Sequence, residues 1–159
     1  MTRSGFGFDL HPLVAGRPLI LGGVTVPSEA GLDGHSDADV LSHAIGEALL
    51  GALALGDLGR HFPDTDPRWR GVSSLLLLEQ VIALVRSRGG TLVNVDATVL
   101  AQAPRLAAHL PEMAKRLSGV LGIPLDRVSV KAKSPEGLGL VGRREGIAAM
   151  AVVSVETPE

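Results

Sequence analysis

Apolar residues recur along the chain at two spacings, which divide it into strands and helices. Gly5–His11 alternates toward Asp9 and His11 and reads as a short strand. Arg17–Pro27 reads as a hairpin with Gly22-Gly23 at its turn, and Gly31–His35 as a polar, glycine-containing loop. Val40, Leu41, Ala44, Ile45, Ala48 and Leu49 then repeat at helical spacing. This predicts a helix with Ser36 as N-cap, Asp39 completing a capping box, an end near Leu55 and a stop at Gly56. Asp57–Arg70 reads as a loop. Ser73–Ser87 is a second predicted helix, capped by Ser73 or Ser74 and stopped by Gly89-Gly90. Thr91–Gln102 and Arg127–Lys133 read as strands, and Pro111–Leu121 as a helix with proline in its first turn. Gly146–Val155 is apolar at nearly every position, the pattern of a central strand. Strands and helices interleave, so the expected class is α/β (α+β), with one main mixed sheet and helices on a face.

Composition narrows the partners. The 159 residues fit one domain, expected to span residues 1–159, and no linker or repeat interrupts them. Aromatic residues make up 3% of the chain, so the core must be aliphatic and nucleic-acid readout by stacked rings is not expected. A formal charge of −2 gives no global footprint for nucleic acid or an anionic membrane. An anion would have to be held by a local device. The absence of cysteine, of a signal-like N-terminus and of a spanning apolar run gives the expectation of a cytoplasmic protein.

Three of the five histidines lie within the first 43 residues, close to Asp9. On a strand, Asp9 and His11 point to one face, where both can reach one metal ion. A polar strand face carrying two such groups is the other reading. His43 lies one turn beyond Asp39 on the predicted helix. It supplies either a third ligand or a partly buried core histidine. An Asp/His/His set with an open position suits a catalytic zinc, with Mn²⁺ or another divalent ion as the alternative.

Other segments carry candidate chemistry. His35-Ser36 precedes a helix, where free N–H groups and the dipole attract phosphate; an ordinary serine cap is the alternative. Asp64 and Asp66 within Phe62–Pro67 can accept hydrogen bonds from substrate hydroxyls or form an Asx-turn. The small residues of Ala101–Leu106 allow a flat ligand to lie against the backbone, or mark a plain turn. Lys131, Lys133, Ser134 and Glu136 suit a diphosphate and a hard cation such as Mg²⁺, or a solvated turn.

Five blocks in order carry a family resemblance: Gly7–His11, His35–His43, Gly56–Pro67, Asn94–Arg105 and Gly142–Ala149. Over the whole chain the sequence resembles the 2-C-methyl-D-erythritol 2,4-cyclodiphosphate synthase family of the non-mevalonate isoprenoid pathway. The resemblance implies a homotrimer with active sites between subunits. It implies a phosphorus–oxygen lyase that converts 4-diphosphocytidyl-2-C-methyl-D-erythritol 2-phosphate into the cyclic diphosphate and releases CMP. Asp9, His11 and His43 would hold zinc or another divalent transition metal. His35 and Ser36 would contact the phosphates, and Ser134 would join His35 in supporting the transition state. Asp57, Leu58 and Gly59 would line the substrate site, with Phe62, Pro63, Asp64, Thr65 and Asp66 around the methylerythritol part. Ala101, Gln102, Ala103, Pro104, Arg105, Leu106 and Ala107 would hold the cytidine diphosphate, joined by Lys133 and Glu136, the latter on Mg²⁺ or Mn²⁺. Arg143 and Glu145 would face a cavity on the trimer axis. There Leu140 replaces the common aromatic residue, and Lys133 and Pro135 depart from the usual run of hydroxyl residues.

The implied reaction needs no protein nucleophile, since one substrate phosphate attacks another. A zinc-dependent phosphohydrolase acting on a nucleotide diphosphate would use the same ligands on water. A non-catalytic, nucleotide-binding or structural trimer would use the histidines as core.

Overall fold

The computed structural model describes residues 1–158. Strand β1 runs from Thr2–Ala15, and β2 (Leu19–Leu21) and β3 (Val24–Val26) form a small hairpin closed by Gly22-Gly23. Strand β4 (Ala30–Leu32) precedes helix α1 (Val40–Ala52), and α2 (Leu58–His61) is a single turn. Helix α3 (Ser74–Ser87), β5 (Thr91–Leu100), α4 (Leu110–Leu121) and β6 (Val128–Lys133) follow. A short helix α5 (Gly139–Gly142) leads into β7 (Gly146–Glu156).

Five strands make one mixed sheet in the order β4-β1-β7-β5-β6. β7 is central, as its apolar run predicts, and lies antiparallel to both β1 and β5. β5 and β6 are parallel, and α4 supplies the crossover that parallel pairing requires. Because β1 and β5 both oppose β7 and β6 is parallel to β5, the C-terminal ends of β1, β5 and β6 lie at the same end of the sheet. Leu10 and Leu100 flank the same residue, Ala148.

Helices α1, α3 and α4 cover one face and enclose an aliphatic core that includes Ile45, Leu49, Leu78, Met113, Leu117 and Val153. Each such side chain, fully buried, stabilises the fold by about 1.5–3 kcal/mol. All four aromatic residues lie outside this core. Phe6 and Phe8 stand 64% and 52% exposed on the opposite sheet face, with Val152 beside them, while Phe62 and Trp69 are half-buried near α2.

Two local devices bring α1 against β1. Gly5 and Gly7 point inward along β1, and a Cβ at either would overlap the carbonyl oxygen of Ala48 or Ala44 and crowd the next backbone nitrogens. The bare strand therefore lets the helix backbone settle directly onto it. The second device is Asp39, which is fully buried. One carboxylate oxygen accepts from Gly22 N (2.9 Å) and Ser42 N (3.0 Å), the other from Gly23 N (2.8 Å) and Ser42 Oγ (2.7 Å). It thus caps α1 and fastens the β2–β3 turn to it.

The expected α1 boundaries are corrected at both ends. Asp39, not Ser36, is the N-cap, because Ala38 has φ +57° and cannot be helical. Ser36 Oγ instead accepts from Ala38 N in a local turn. The helix ends at Ala52 rather than Leu55, since Ala54 turns left-handed. β1 extends well beyond Gly5–His11 because β7 pairs along most of its length. Gly31 and Leu32 of the expected loop belong to strand β4, which pairs with Leu13–Ala15. The Asp57–Arg70 loop contains α2 and a single 3₁₀ turn at Pro67–Trp69, capped by Asp57 and Asp66.

Replacing Gly7 with alanine is expected to cost about 1–3 kcal/mol in urea unfolding, because a methyl group must displace the α1 backbone. Asp39→Ala should cost on the order of 3 kcal/mol in the same measurement, since it strands buried N–H donors. Wild-type stability in either variant would contradict this account of how α1 is seated.

Candidate metal centre and active-site pocket

Asp9 and His11 extend the inward face of β1 that begins with Gly5 and Gly7. The close seating of α1 brings His43 over them. Asp9 Oδ2 lies 2.9 Å from His11 Nε2 and 2.9 Å from His43 Nδ1, and the two ring nitrogens are 3.3 Å apart. Among the described residues this is the one cluster of three or more such side chains able to share a metal ion.

The backing of each ring selects the donor set. His11 Nδ1 lies 2.8 Å from the Asp33 carbonyl, which can only accept, so Nδ1 carries the proton and a neutral His11 keeps Nε2 bare. His43 Nδ1 faces the cluster, while Nε2 lies 2.8 Å from Ser74 Oγ and 3.1 Å from Ser36 Oγ. Two imidazole nitrogens and a carboxylate oxygen then face one point. This set fits a divalent transition metal. Without a cation, their mutual repulsion must be relieved by a proton. Burial pushes the Asp9 carboxyl up, but hydrogen bonds to His11 and His43 outweigh it and hold the group well below the usual carboxylate range. Burial pulls the His11 imidazole down, and the Asp9 hydrogen bond and charge outweigh that and raise it.

The cluster forms part of the wall of a cavity of about 370 Å³. Of the residues expected at the site, His35, Ser36, Leu58, Gly59, Phe62 and Asp64 also line it. His35 Nε2 is held by the Asp66 carbonyl at 3.1 Å, and Gly71 N binds His35 O, so the 33–37 segment is tied to the 66–72 loop. Ser36 differs from expectation in its side chain. It is 7% exposed, and its hydroxyl faces His43, Ser74 and Ala38 N at the back of the ring. Asp57 caps α2, Asp66 pairs with Arg68, and Asp57, Pro63, Thr65 and Asp66 do not line this cavity.

The other expected residues lie elsewhere. Ala101, Gln102, Pro104, Arg105, Leu106, Ala107, Lys133 and Ser134 line a separate cavity of about 380 Å³ at the ends of β5 and β6, while Ala103 borders a third. The cavity at the β5 and β6 ends and the one at the metal cluster share no lining residue. Gln102 Oε1 accepts from Gly137 N (2.8 Å), which pins the 134–139 turn to the β5 end. Glu136 is exposed in that turn and stands apart from the metal cluster. Leu140 is 40% exposed, and Arg143 pairs with Glu145 at 2.7 Å.

Several neighbours escaped the sequence reading. Glu47 lines the cavity one turn after His43, a spacing that could have flagged it. It accepts from Leu58 N, while burial, reinforced by the Asp57 and Asp9 charges, pushes its carboxyl up. Trp69 meets Phe62 edge-to-face at 5.1 Å on the same wall. Arg17 binds Asp33, Gly34 O and Ser36 O, bracing the loop behind His11. Asp33, Asp37 and Ser74 act through chain folding that no spacing reveals.

Residues 2–156 match the family model of the YgbB family. The chain belongs to the YgbB family. A relative from Gloeobacter violaceus is 60% identical over 154 residues, covering 97% of this chain and 94% of its own. One from Desulfitobacterium hafniense is 57% identical over 153 residues, covering 96% and 97%. Both are named 2-C-methyl-D-erythritol 2,4-cyclodiphosphate synthase. A solved synthase of that name in its CDP-bound form superposes with a TM-score of 0.90 at 40% identity, covering 97% of this chain and all of its own. The bifunctional IspDF of Campylobacter jejuni superposes with a TM-score of 0.95 at 39% identity over the whole chain, which spans 43% of that longer protein. No helix among the described residues is long and apolar enough to cross a membrane.

Protons and metal compete for His11 Nε2, whose basicity is raised. Metal affinity, measured by chelator competition, should therefore fall as pH drops from about 8 to about 6. An affinity independent of pH over that range would contradict the ligand set.

Proposed function

We propose that this YgbB-family chain is a metal-dependent 2-C-methyl-D-erythritol 2,4-cyclodiphosphate synthase acting as one catalytic domain in the cytoplasm. The observation that carries the reading is the convergence of Asp9, His11 and His43 at one cavity in a chain 57–60% identical, nearly end to end, to synthases of that name. The substrate is 4-diphosphocytidyl-2-C-methyl-D-erythritol 2-phosphate. An oxygen of the 2-phosphate bonds to the β-phosphorus, the bond from that phosphorus to the bridging oxygen of CMP breaks, and CMP leaves. The ring closes without water or a protein nucleophile.

Asp9, His11 and His43 would hold zinc or a similar divalent ion, with Glu136 as a ligand to Mg²⁺ or Mn²⁺. Bound there, such cations supply charge neutralisation and polarisation of phosphoryl oxygens. The chain supplies the positioning. His35 stands on the cavity wall with Nε2 held by Asp66 O, which fixes the ring beside the space proposed for the phosphates. Phe62, Asp64 and Leu58 shape the half that receives the methylerythritol part. Ala101–Ala107, Lys133 and Ser134 form the other half, where backbone groups and a cation suit a cytidine diphosphate. Holding the two ends of a flexible substrate together removes much of the entropic barrier.

Two observations support a homotrimer with sites between subunits. The metal cavity and the Ala101–Lys133 cavity are separate within one chain. Phe6, Phe8 and Val152 form an exposed apolar patch on the uncovered sheet face, which a second copy would bury.

Incubation with the cytidyl substrate and Mg²⁺, followed by phosphorus NMR, should show CMP and the cyclic diphosphate in equal amounts. A ring-opened phosphate product would instead identify a phosphohydrolase. Asp9→Asn and His43→Ala should lower turnover by at least about 100-fold while the protein elutes at an unchanged size. Chelator-stripped wild type should lose activity and regain it with zinc.

A further inference from the structure

The metal cluster is backed by a buried polar relay that the proposed chemistry does not itself use. Ser74 opens helix α3, 31 residues from His43 in sequence, yet its Oγ lies 2.8 Å from His43 Nε2. The same hydroxyl contacts Asp37 Oδ1, and Asp37 Oδ2 accepts from Ser74 N at 3.1 Å. Ser74 is 1% exposed and Ser36 is 7% exposed. The two hydroxyls behind the ring are therefore shielded from water, while Asp37 is half-buried.

Proton counting gives this relay one direction. An ionised Asp37 can only accept, so the single hydroxyl proton of Ser74 goes to Asp37. Ser74 Oγ then has only lone pairs to offer His43 at 2.8 Å, a shorter contact than the 3.1 Å to Ser36 Oγ, so a proton on His43 Nε2 is the arrangement that satisfies it. Neutral imidazole holds one N–H proton, which leaves Nδ1 bare and facing Asp9 Oδ2 at 2.9 Å and His11 Nε2 at 3.3 Å. Ser36 Oγ accepts from Ala38 N and lies 3.3 Å from Ser74 Oγ, to which its own proton can be given. Every hydroxyl proton in the group then has an acceptor.

We propose that Ser74 and Asp37 are positioning residues for the metal centre, setting the tautomer and ring orientation of His43 so that Nδ1 is presented as a ligand. This rests on the metal reading above and deepens it. Asp37, in the loop before α1, is tied to the start of α3 twice, by accepting from Ser74 N and by giving its own N–H to Val72 O. Movement of α3 relative to α1 would therefore be felt at the ligand. Outer partners of this kind change metal affinity by about 10–100-fold when removed.

The test compares full-length wild type, Ser74→Ala, Ser74→Thr and Asp37→Asn for zinc affinity by competition with a chromogenic chelator. Thermal unfolding of each metal-free protein is measured alongside. Ser74→Ala should weaken zinc binding by about 10–100-fold, with metal-free unfolding close to wild type, and Asp37→Asn should weaken it in the same direction. Ser74→Thr retains the hydroxyl and should restore affinity to within about threefold. Imidazole nitrogen NMR of the zinc-loaded wild type should show His43 protonated at Nε2. Unchanged zinc affinity in Ser74→Ala, while wild type binds zinc, would overturn the proposal alone. So would a loss that tracks metal-free stability and is not rescued by threonine. A wild type that binds no zinc would overturn the metal reading itself.

Discussion

The contact between the backbone of β1 and the backbone of α1 sets the position of the metal cluster. It exists because residues 5 and 7 have no side chain on the face that meets the helix, where Ala44 and Ala48 come down onto the strand. The same strand face continues into Asp9 and His11, and the same helix carries His43 beside Ala44. The register that packs the glycines under the alanines is thus the register that brings the three ligands together. Asp39 fixes the helix along its axis by bonding the β2–β3 turn and the first turn of α1 with one buried carboxylate. Burial pushes the Asp39 carboxyl up, and four donors replace the water it loses.

Electrostatics at the site follow from what stands behind each ligand. The Asp33 carbonyl and the Ser74 hydroxyl hold the outer nitrogens, so the inner ones converge with a carboxylate. Such an arrangement is costly without a positive charge, and the raised His11 and lowered Asp9 express that cost. A chain with a formal charge of −2 can therefore present a site for a highly charged anion. The compensating charge belongs to a bound ion rather than to a basic surface.

The sheet is finished on one side only. β7 is apolar on both faces, yet Val152 is 47% exposed and its neighbours Phe6 and Phe8 more so. A central strand covered on both faces explains its composition, and within one chain only one face is covered. The proposed assembly of copies would cover the other face and bring together the metal cavity and the cavity at the β5 and β6 ends.

Much of this was legible in sequence. Apolar spacing located the three long helices, the Gly22-Gly23 hairpin and the central strand, since burial of one face leaves a periodic trace. Asp9 and His11 share a strand face by backbone geometry alone, and the motif blocks around His35–His43 and Phe62–Asp66 carried the family. The exact start of α1 was not legible. Ser36 and Asp39 are both good caps, and only the left-handed Ala38 between them decides which is used. Local pattern also could not distinguish a serine that faces substrate from one buried behind a histidine, as Ser36 is. Nor could it place Ser74, Asp37 and Arg17 around the ligands, or separate the Ala101–Ala107 cavity from the metal. Those relations join residues tens of positions apart. They depend on how closely α1, α3 and the sheet approach one another, a distance set by packing rather than by any one segment's own preference.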